Sequence, residues 1–489
     1  MKRILAFLLC LSLLSAPLVS CKKDPTKDPK NDIPNAQMQT VDHVYAGSYV
    51  SLSEDLYLRG NSCTISGGKL SALATEILDR GDENTGEGYK SRTVLYSLDL
   101  ADNSVSLTEL PMQLKADGEK TFATIQALAT AADGSYATVE YFRDNEKNTV
   151  SYRLTRYNAD GTVVYSIDPE PLNEVREDPR ASRRGFSLDY EFYVNYLVLG
   201  GSTLYLTNEY SIIAISEKGE RLYEIPLNGY LDSINALSDG RVLVKYTDYT
   251  NYEEHICYLD DEKRGFSDDI DLSAINAPRG YELYFGPGYD YYIKTNKGLY
   301  GLNEGDAEMS LLCDWLNSDI VSNSIRDINI VDADTFVYRG SDPVTGNTEL
   351  AVMRRIPDEE VQPRYLIRVA RTYSNYDFTS YAVKFNRTND KYRVIVENYS
   401  DYNTQDDRTA GETRLKDEIL AGKVPDILCE DSYNAAASNY AEKGLFADLY
   451  PYIDSDPTLG RDKFMSCILT PFETDGKLYQ LATSFYVGG

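Results

Sequence analysis

From about residue 42 to residue 358 the apolar residues come in short runs cut by polar turns, with no long helical period. Five segments repeat one grammar: "IQALATAADGSYATVEYF" from Ile125, "YLVLGGSTLYLTN" from Tyr196, "INALSDGRVLVKYT" from Ile234, "YFGPGYDYYIKTN" from Tyr284 and "INIVDADTFVYRG" from Ile328. Each is an apolar strand, a tight Gly/Asp turn and a second strand of Leu, Val, Ile and Tyr, which predicts a hairpin. A second turn follows most of them, in "NADG" at 158, "SEKG" at 216, "DDEK" at 260 and "NEGD" at 303. Each unit therefore holds about four strands. The first turns fall at 133, 200, 239, 287 and 333, and the one long gap contains the polar insertion "PEPLNEVREDPRASRRG". An earlier unit lies within 45–111. Four-stranded units at a period of roughly 40–50 residues predict a β-propeller of six or seven blades over 42–358.

The grammar changes after the linker at 359–364. Strand patterns at 365–370, 392–399 and 425–429 alternate with helical patterns at 377–389, 409–422 and 432–444. Thr409 and Glu412 have capping-box spacing, and Gly422 can close its helix. A hairpin is predicted around Asp475-Gly476. This order predicts a parallel sheet with crossover helices. The chain stops at "SFYVGG", so this second unit reads as incomplete.

The N-terminus has a different pattern again. Lys2 and Arg3 precede an apolar run from Ile4 to Leu14 that is too short to span a bilayer. Residues 1–20 read as an export signal ending in Leu18-Val19-Ser20-Cys21, which resembles the bacterial lipobox. Cys21 would carry the lipid (diacylglycerol and palmitate) and become the mature N-terminus. The charged, Pro-containing stretch 21–41 reads as a disordered tether. The expected location is the extracytoplasmic face of the cell membrane, held by the lipid.

Composition narrows the chemistry. The 489 residues include 77 Asp+Glu and 49 Lys+Arg, for a net charge of -28, which argues against nucleic acid as a partner. Tyr is abundant at 41, against one Trp, Trp315, which reads as core. Two histidines, His43 and His255, nearly exclude histidine triads and multi-His zinc sites. The seven Cys are widely spaced and suggest neither a metal cluster nor a disulfide framework; the spacing leaves a Cys257–Cys313 or Cys429–Cys467 bridge open, and free buried thiols are the preferred reading. Asp268-Asp269 and Asp332/Asp334 lack the spacing of a calcium loop and read as solvated turns. No catalytic constellation appears, and the expectation is a non-enzyme with no cofactor and no metal.

The stretches "AVKFNRTNDKYRVIVENY", "LKDEILAGKVPDIL", "YAEKGLFADLYPYID" and "DGKLYQLATSFY" carry a resemblance. In that order they resemble the first lobe of extracellular solute-binding proteins of bacterial ABC importers, of the maltose-binding-like class, over 365–489. The resemblance implies an α/β periplasmic-binding-protein-like lobe whose ligand sits beyond the carboxyl ends of the strands. Carried over, the ligand-binding candidates are Tyr373, Tyr376 and Asp377 after the first strand, Glu430, Asp431, Ser432 and Tyr433 after the third, and Ser484 and Tyr486 after the hairpin. Asp377 and Ser432 fit equally well as helix caps. Glu430 and Asp431 are adjacent on a strand end, so they point to opposite sides and make a poor acid/base pair.

Two functions follow from the sequence. One is a lipid-anchored solute receptor, for a carbohydrate or similar small polar solute, partnered by the importer's membrane subunits. The other is a surface adhesion or interaction lipoprotein acting through the propeller.

Overall fold

The structure is a computed structural model. It describes residues 38–59, 63–82, 88–116, 120–131, 133–147, 149–168, 176–177, 189–190, 194–207, 211–237, 240–270, 272, 281–373, 376–429 and 440–481. Five four-stranded antiparallel sheets and one five-stranded sheet form a six-bladed propeller. Blade 1 starts with Leu56–Leu58 and Thr64–Ser66, both paired to Lys69–Asp79, and continues with Lys90–Asp99 and Val105–Glu109. The innermost strands of blades 2 to 6 are Thr121–Thr130, Tyr196–Gly200, Gly229–Ala236, Glu282–Tyr284 and Asp327–Asp332. Among the described residues, five of the six neighbouring pairs of innermost strands pack side by side around the ring, all but those of blades 4 and 5.

The predicted turns fall where the sequence places them. The first turn of each unit joins the innermost strand to the second, and the second turn joins the third to the outermost. Gly134 (φ 82) and Gly240 (φ 89) occupy first turns in the left-handed region that glycine enters without strain.

One assignment is corrected. Tyr45–Ser51 does not open the first blade. It pairs antiparallel with Thr348–Arg355 and is the outermost strand of blade 6, so the two ends of the propeller chain close the ring in one sheet. A strand's pattern reports burial, not its partner, so this pairing leaves no local mark.

Burial explains the strand compositions. Thr203–Thr207 and Ser211–Ile215, in the middle of blade 3, are buried at every position, and only Thr203, Thr207 and Ser211 among them are polar. Val105–Glu109, outermost in blade 1, is exposed at every position and alternates apolar with polar residues. Apolar layers fill the spaces between blades. Between blades 5 and 6 the layer joins Tyr292, Leu299, Cys313 and Trp315 to Ile328, Ile330, Phe336 and Met353. Trp315 is core, and its indole N–H donates to the Thr295 carbonyl at 2.8 Å.

The C-terminal residues correct a larger expectation. They form no solute-binding lobe. Three parallel strands, in the order Tyr392–Asn398, Tyr365–Arg371, Ile427–Cys429, carry the helices Tyr376–Thr388 and Ala410–Leu420. The third strand has three residues. The motifs behind the resemblance are local connectors. Gly422 (φ 87) ends a helix, and Asp426 accepts the Arg368 amide at 2.8 Å to staple two strands. Asp448 accepts the amides of Tyr450 and Leu478, each at 3.1 Å, and Asp475-Gly476 turns a hairpin with both φ positive. Such connectors serve any β-α-β unit, whatever it binds.

The predicted capping box is not formed. Thr409 donates its hydroxyl to Asp407 at 2.9 Å, and the Asn403 side chain accepts the Gly411 amide at 2.9 Å instead. Gly411 fits because a Cβ there would lie 2.0 Å from the Tyr399 carbonyl oxygen.

Candidate functional site

Two regions concentrate functional side chains. The first is the cleft of about 390 Å³ between blade 6 and the C-terminal unit, lined by Tyr45, Tyr49, Asp319, Arg364, Arg387 and Arg393 among others. Arg364 and Arg393 adjoin the starts of two parallel strands, and Arg387 lies near the end of the first helix. The cleft is therefore at the amino ends of the strands. Ligands of open α/β sheets sit at the opposite end, so this cavity is not the predicted cleft.

Its arginines are spent on the fold. The Arg387 guanidinium donates to both carboxylate oxygens of Glu349 at 3.1 and 3.3 Å, to the Tyr338 hydroxyl at 3.1 Å and to the Asp319 carbonyl at 3.1 Å. It also lies 3.9 Å above the Tyr49 ring. Glu349 is 1 % exposed. Burial works against the Arg387 charge, but Tyr49 and Glu349 outweigh it and hold the guanidinium more firmly protonated than usual. Arg393 donates to Asp319 at 2.8 Å and also caps the Asn317 carbonyl. Burial raises the Asp319 carboxyl and lowers the Arg393 guanidinium despite this pair. Desolvation thus outweighs attraction for both partners, as buried ion pairs often show. The cleft is a latch that docks the C-terminal unit on the closing blade.

The second region is one face of the ring. Every innermost strand begins on it, and strand alternation brings the connections between second and third strands to the same face. Register places exposed rings there. Tyr57, Phe122 and Tyr230 are each the second residue of an innermost strand, in blades 1, 2 and 4. Tyr89 and Tyr252 lie on the connections between second and third strands of blades 1 and 4; Tyr252 is 77 % exposed at a positive φ of 60. Six cations around them are paired with carboxylates: Arg80–Asp55 at 2.7 Å, Arg92–Glu76 at 2.6 Å, Lys120–Glu146 at 2.6 Å, Lys147–Asp144 at 2.9 Å, Lys245–Glu254 at 2.8 Å and Lys294–Glu282 at 2.5 Å; Asp248 and Glu253 accept instead from Thr250 and Asn251. Beside the last pair, Asp327 begins the innermost strand of blade 6, and burial pushes its carboxyl up while Arg339 pulls it back. The other exposed large apolar residues of the described outermost strands of blades 1 to 3 are aliphatic: Val105, Leu107, Val163, Val164 and Leu222.

Of the sequence candidates, Tyr373 is half-buried, its hydroxyl 3.6 Å from the Cys429 sulfur, and Tyr376 and Asp377 open a helix. Arg371 pairs with Cys429, so the first and third strands end side by side. Glu430, Asp431, Ser432, Tyr433, Ser484, Tyr486 and Cys21 lie outside the described residues. Cys257, Cys313 and Cys429 are free thiols. Of the Asp pairs, Asp269 meets His255 at 2.7 Å and Asp332 accepts the Asp334 amide at 2.9 Å, both ordinary turn and strand contacts. Among the described residues no group of three or more His, Cys, Asp and Glu could hold a metal ion, and no helix is long and apolar enough to cross a membrane. The sequence signal for the ring face was the aromatic at the start of three innermost strands. It is invisible until the strands are aligned by blade.

No family model matches the chain, that of solute-binding proteins included, and no curated protein matches it either. Together with the three-stranded sheet and its cleft at the wrong end, this overturns the solute-binding resemblance. Several solved structures are similar. They include the β-propeller domain of the Trilobed protease from Pyrococcus furiosus (11 % identity, 62 % of this chain and 94 % of that one, TM-score 0.31). The Neurospora crassa Pan2 WD40 domain is similar over 64 % of this chain and 97 % of its own, at 7 % identity and TM-score 0.32. A Bacteroides caccae protein of unknown function is similar over 54 % and 83 %, at 12 % identity and TM-score 0.32. The assignment of a six-bladed propeller rests on the strand order above.

Proposed function

We propose that the protein is a lipid-anchored, extracytoplasmic interaction protein whose propeller presents a recognition face. The observation that carries this is the recurrence of an exposed aromatic at one strand position in three blades. Buried aromatics are explained by the core. Exposed ones at equivalent positions on a single face are the residues that interfaces enrich. The lipobox at Cys21 and the tether behind it supply the anchor, and the C-terminal unit buttresses the ring. The role is binding rather than catalysis.

Two measurements test this. Immobilised full chain is exposed to solubilised cell-envelope material, beside a variant with Tyr57, Phe122, Tyr230 and Tyr252 all changed to Ser. Capture by the wild type and loss in the variant are expected; equal capture by both ends the proposal. For the anchor, Cys21→Ser abolishes labelling by a fatty-acid probe and moves the protein to the aqueous phase. Unchanged membrane partition in that variant would remove the lipid from the scheme.

A further inference from the structure

We infer that this face is a docking platform for a chain of neutral sugars. The inference rests on the recognition role proposed above and names what is recognised. Tyr57, Phe122 and Tyr230 share one strand position, and Tyr89 and Tyr252 lie on the same face.

Three features select the ligand. The first is ring chemistry. Each ring offers a flat apolar surface, and four of the five carry a hydroxyl. A sugar packs its C–H face on such a ring while its own hydroxyls stay hydrogen-bonded.

The second is charge. The chain as a whole, at -28, repels polyanions. On this face the six cations named above are each held by a carboxylate, while Asp248 and Glu253 beside Tyr252 accept from the neutral donors Thr250 and Asn251, so the local field does not favour an anion. A neutral ligand fits such a face, whose carboxylates keep lone pairs to accept sugar hydroxyls.

The third is extent. The rings are distributed over blades 1, 2 and 4, which a single monosaccharide cannot bridge; a chain can, and each further ring contact adds to the same binding event. A protein partner would press a mixed aliphatic and aromatic core against the face. Among the described residues, Leu78 at the end of the second strand of blade 1 and Val344 on the second-to-third connection of blade 6 are the exposed large aliphatics on this face, against five rings; those of the outermost strands lie at the periphery of the propeller.

The test is native gel electrophoresis of the full chain carrying Cys21→Ser, run through gels containing xyloglucan, mixed-linkage β-glucan or galactomannan. Alginate and polygalacturonate serve as polyanionic counterparts. Retardation by at least one neutral polysaccharide and by neither polyanion is expected. Tyr57→Ala, Phe122→Ala and Tyr230→Ala each weaken it by about 2- to 12-fold, and the triple variant migrates as in an empty gel with its urea midpoint unchanged. The inference is overturned if no neutral polysaccharide retards the wild type, if polyanions retard it equally, or if the triple variant binds undiminished. It is also overturned if sedimentation shows a wild-type dimer that the triple variant loses, because the rings then serve a second copy. Aromatic-dependent capture of an envelope protein without any glycan binding would overturn the sugar and leave the recognition role standing. Capture that ignores the aromatics would overturn both.

Discussion

The latch at blade 6 and the rim of blades 1, 2 and 4 are built from the same materials and do opposite things. Both combine aromatic rings with arginine or lysine and carboxylates. At the latch, Arg387 is enclosed and its guanidinium is committed to Glu349, Tyr338, Asp319 and the Tyr49 ring. At the rim, Tyr57 shares Arg80 with Asp55 while its ring stays half exposed, and the rings remain open to solvent. Residue type alone separates neither; burial does. A buried charge whose donor nitrogens are all taken internally, as those of Arg387 are, has none left for a ligand. An exposed pair contributes little to stability and leaves its neighbours available.

The largest break in this comparison is Arg387→Ala. It leaves Glu349 buried without its cation and the Tyr338 hydroxyl without a donor. Chemical denaturation should show a loss of about 3–5 kcal/mol. Pairing Arg387→Met with Glu349→Gln should recover part of it, because no charge is then stranded. A single variant as stable as the wild type would mean that the latch does not hold the unit.

The rim variants should behave in the opposite way. Tyr230→Ser or Phe122→Ser changes stability by no more than about 0.5 kcal/mol, since neither side chain fills a core. A larger loss, read from the urea midpoint, would make the rings structural and collapse the distinction.

Acid separates the two kinds of carboxylate. The Asp133 and Asp160 carboxylates accept the amide and hydroxyl two residues on, Ser135 and Thr162, and these bonds hold their pKa below the usual range. In that window the unfolded chain binds more protons, so their contribution is present above about pH 4 and is lost as the pH falls. Asp327 and Asp319 are shifted the other way, chiefly by burial. There the folded state binds the extra proton, and their contribution falls as the pH rises from about 4 through the raised pKa. Asp327→Asn should therefore gain stability relative to wild type as the pH rises, and Asp160→Asn should flatten the acid loss. Urea midpoints between pH 3 and 7 measure both, and parallel pH curves for the two variants would refute the assignment.

The smallest effect is at a thiol. Burial pushes Cys257 up to about 12, so iodoacetamide at pH 8 should modify it slowly in the folded protein and rapidly in urea. Equal rates would place it at the surface.

Much of this was legible in the sequence, and the failures have reasons. The hairpin turns and four-strand units are local signals, so they survived. The strand Tyr45–Ser51 belongs to blade 6 through a pairing some 300 residues away in sequence, which periodicity does not encode. The helix Ala410–Leu420, its glycine stop and the strand after it follow the sequence pattern, while the helix expected at 432–444 lies mostly outside the described residues. What these motifs could not carry was the ligand, because a crossover connection is common to binding and buttressing units. The rim aromatics were present in the sequence but scattered, and only blade register makes them equivalent.

The closing strand has a mechanical consequence. Were the chain held at its N-terminus, as proposed, any pull on the propeller would pass through residues just ahead of Tyr45. That load first meets the bridge between Gln39 and Arg364, with its two hydrogen bonds of 2.8 and 2.9 Å, and then the strand paired along Thr348–Arg355. Peeling this strand would open the ring at its seam. The latch, with Arg387 seated on the Tyr49 ring of that same strand, lies in the path of the force. The C-terminal unit would then act as a strain relief, keeping drag on a captured ligand from unzipping the protein that holds it.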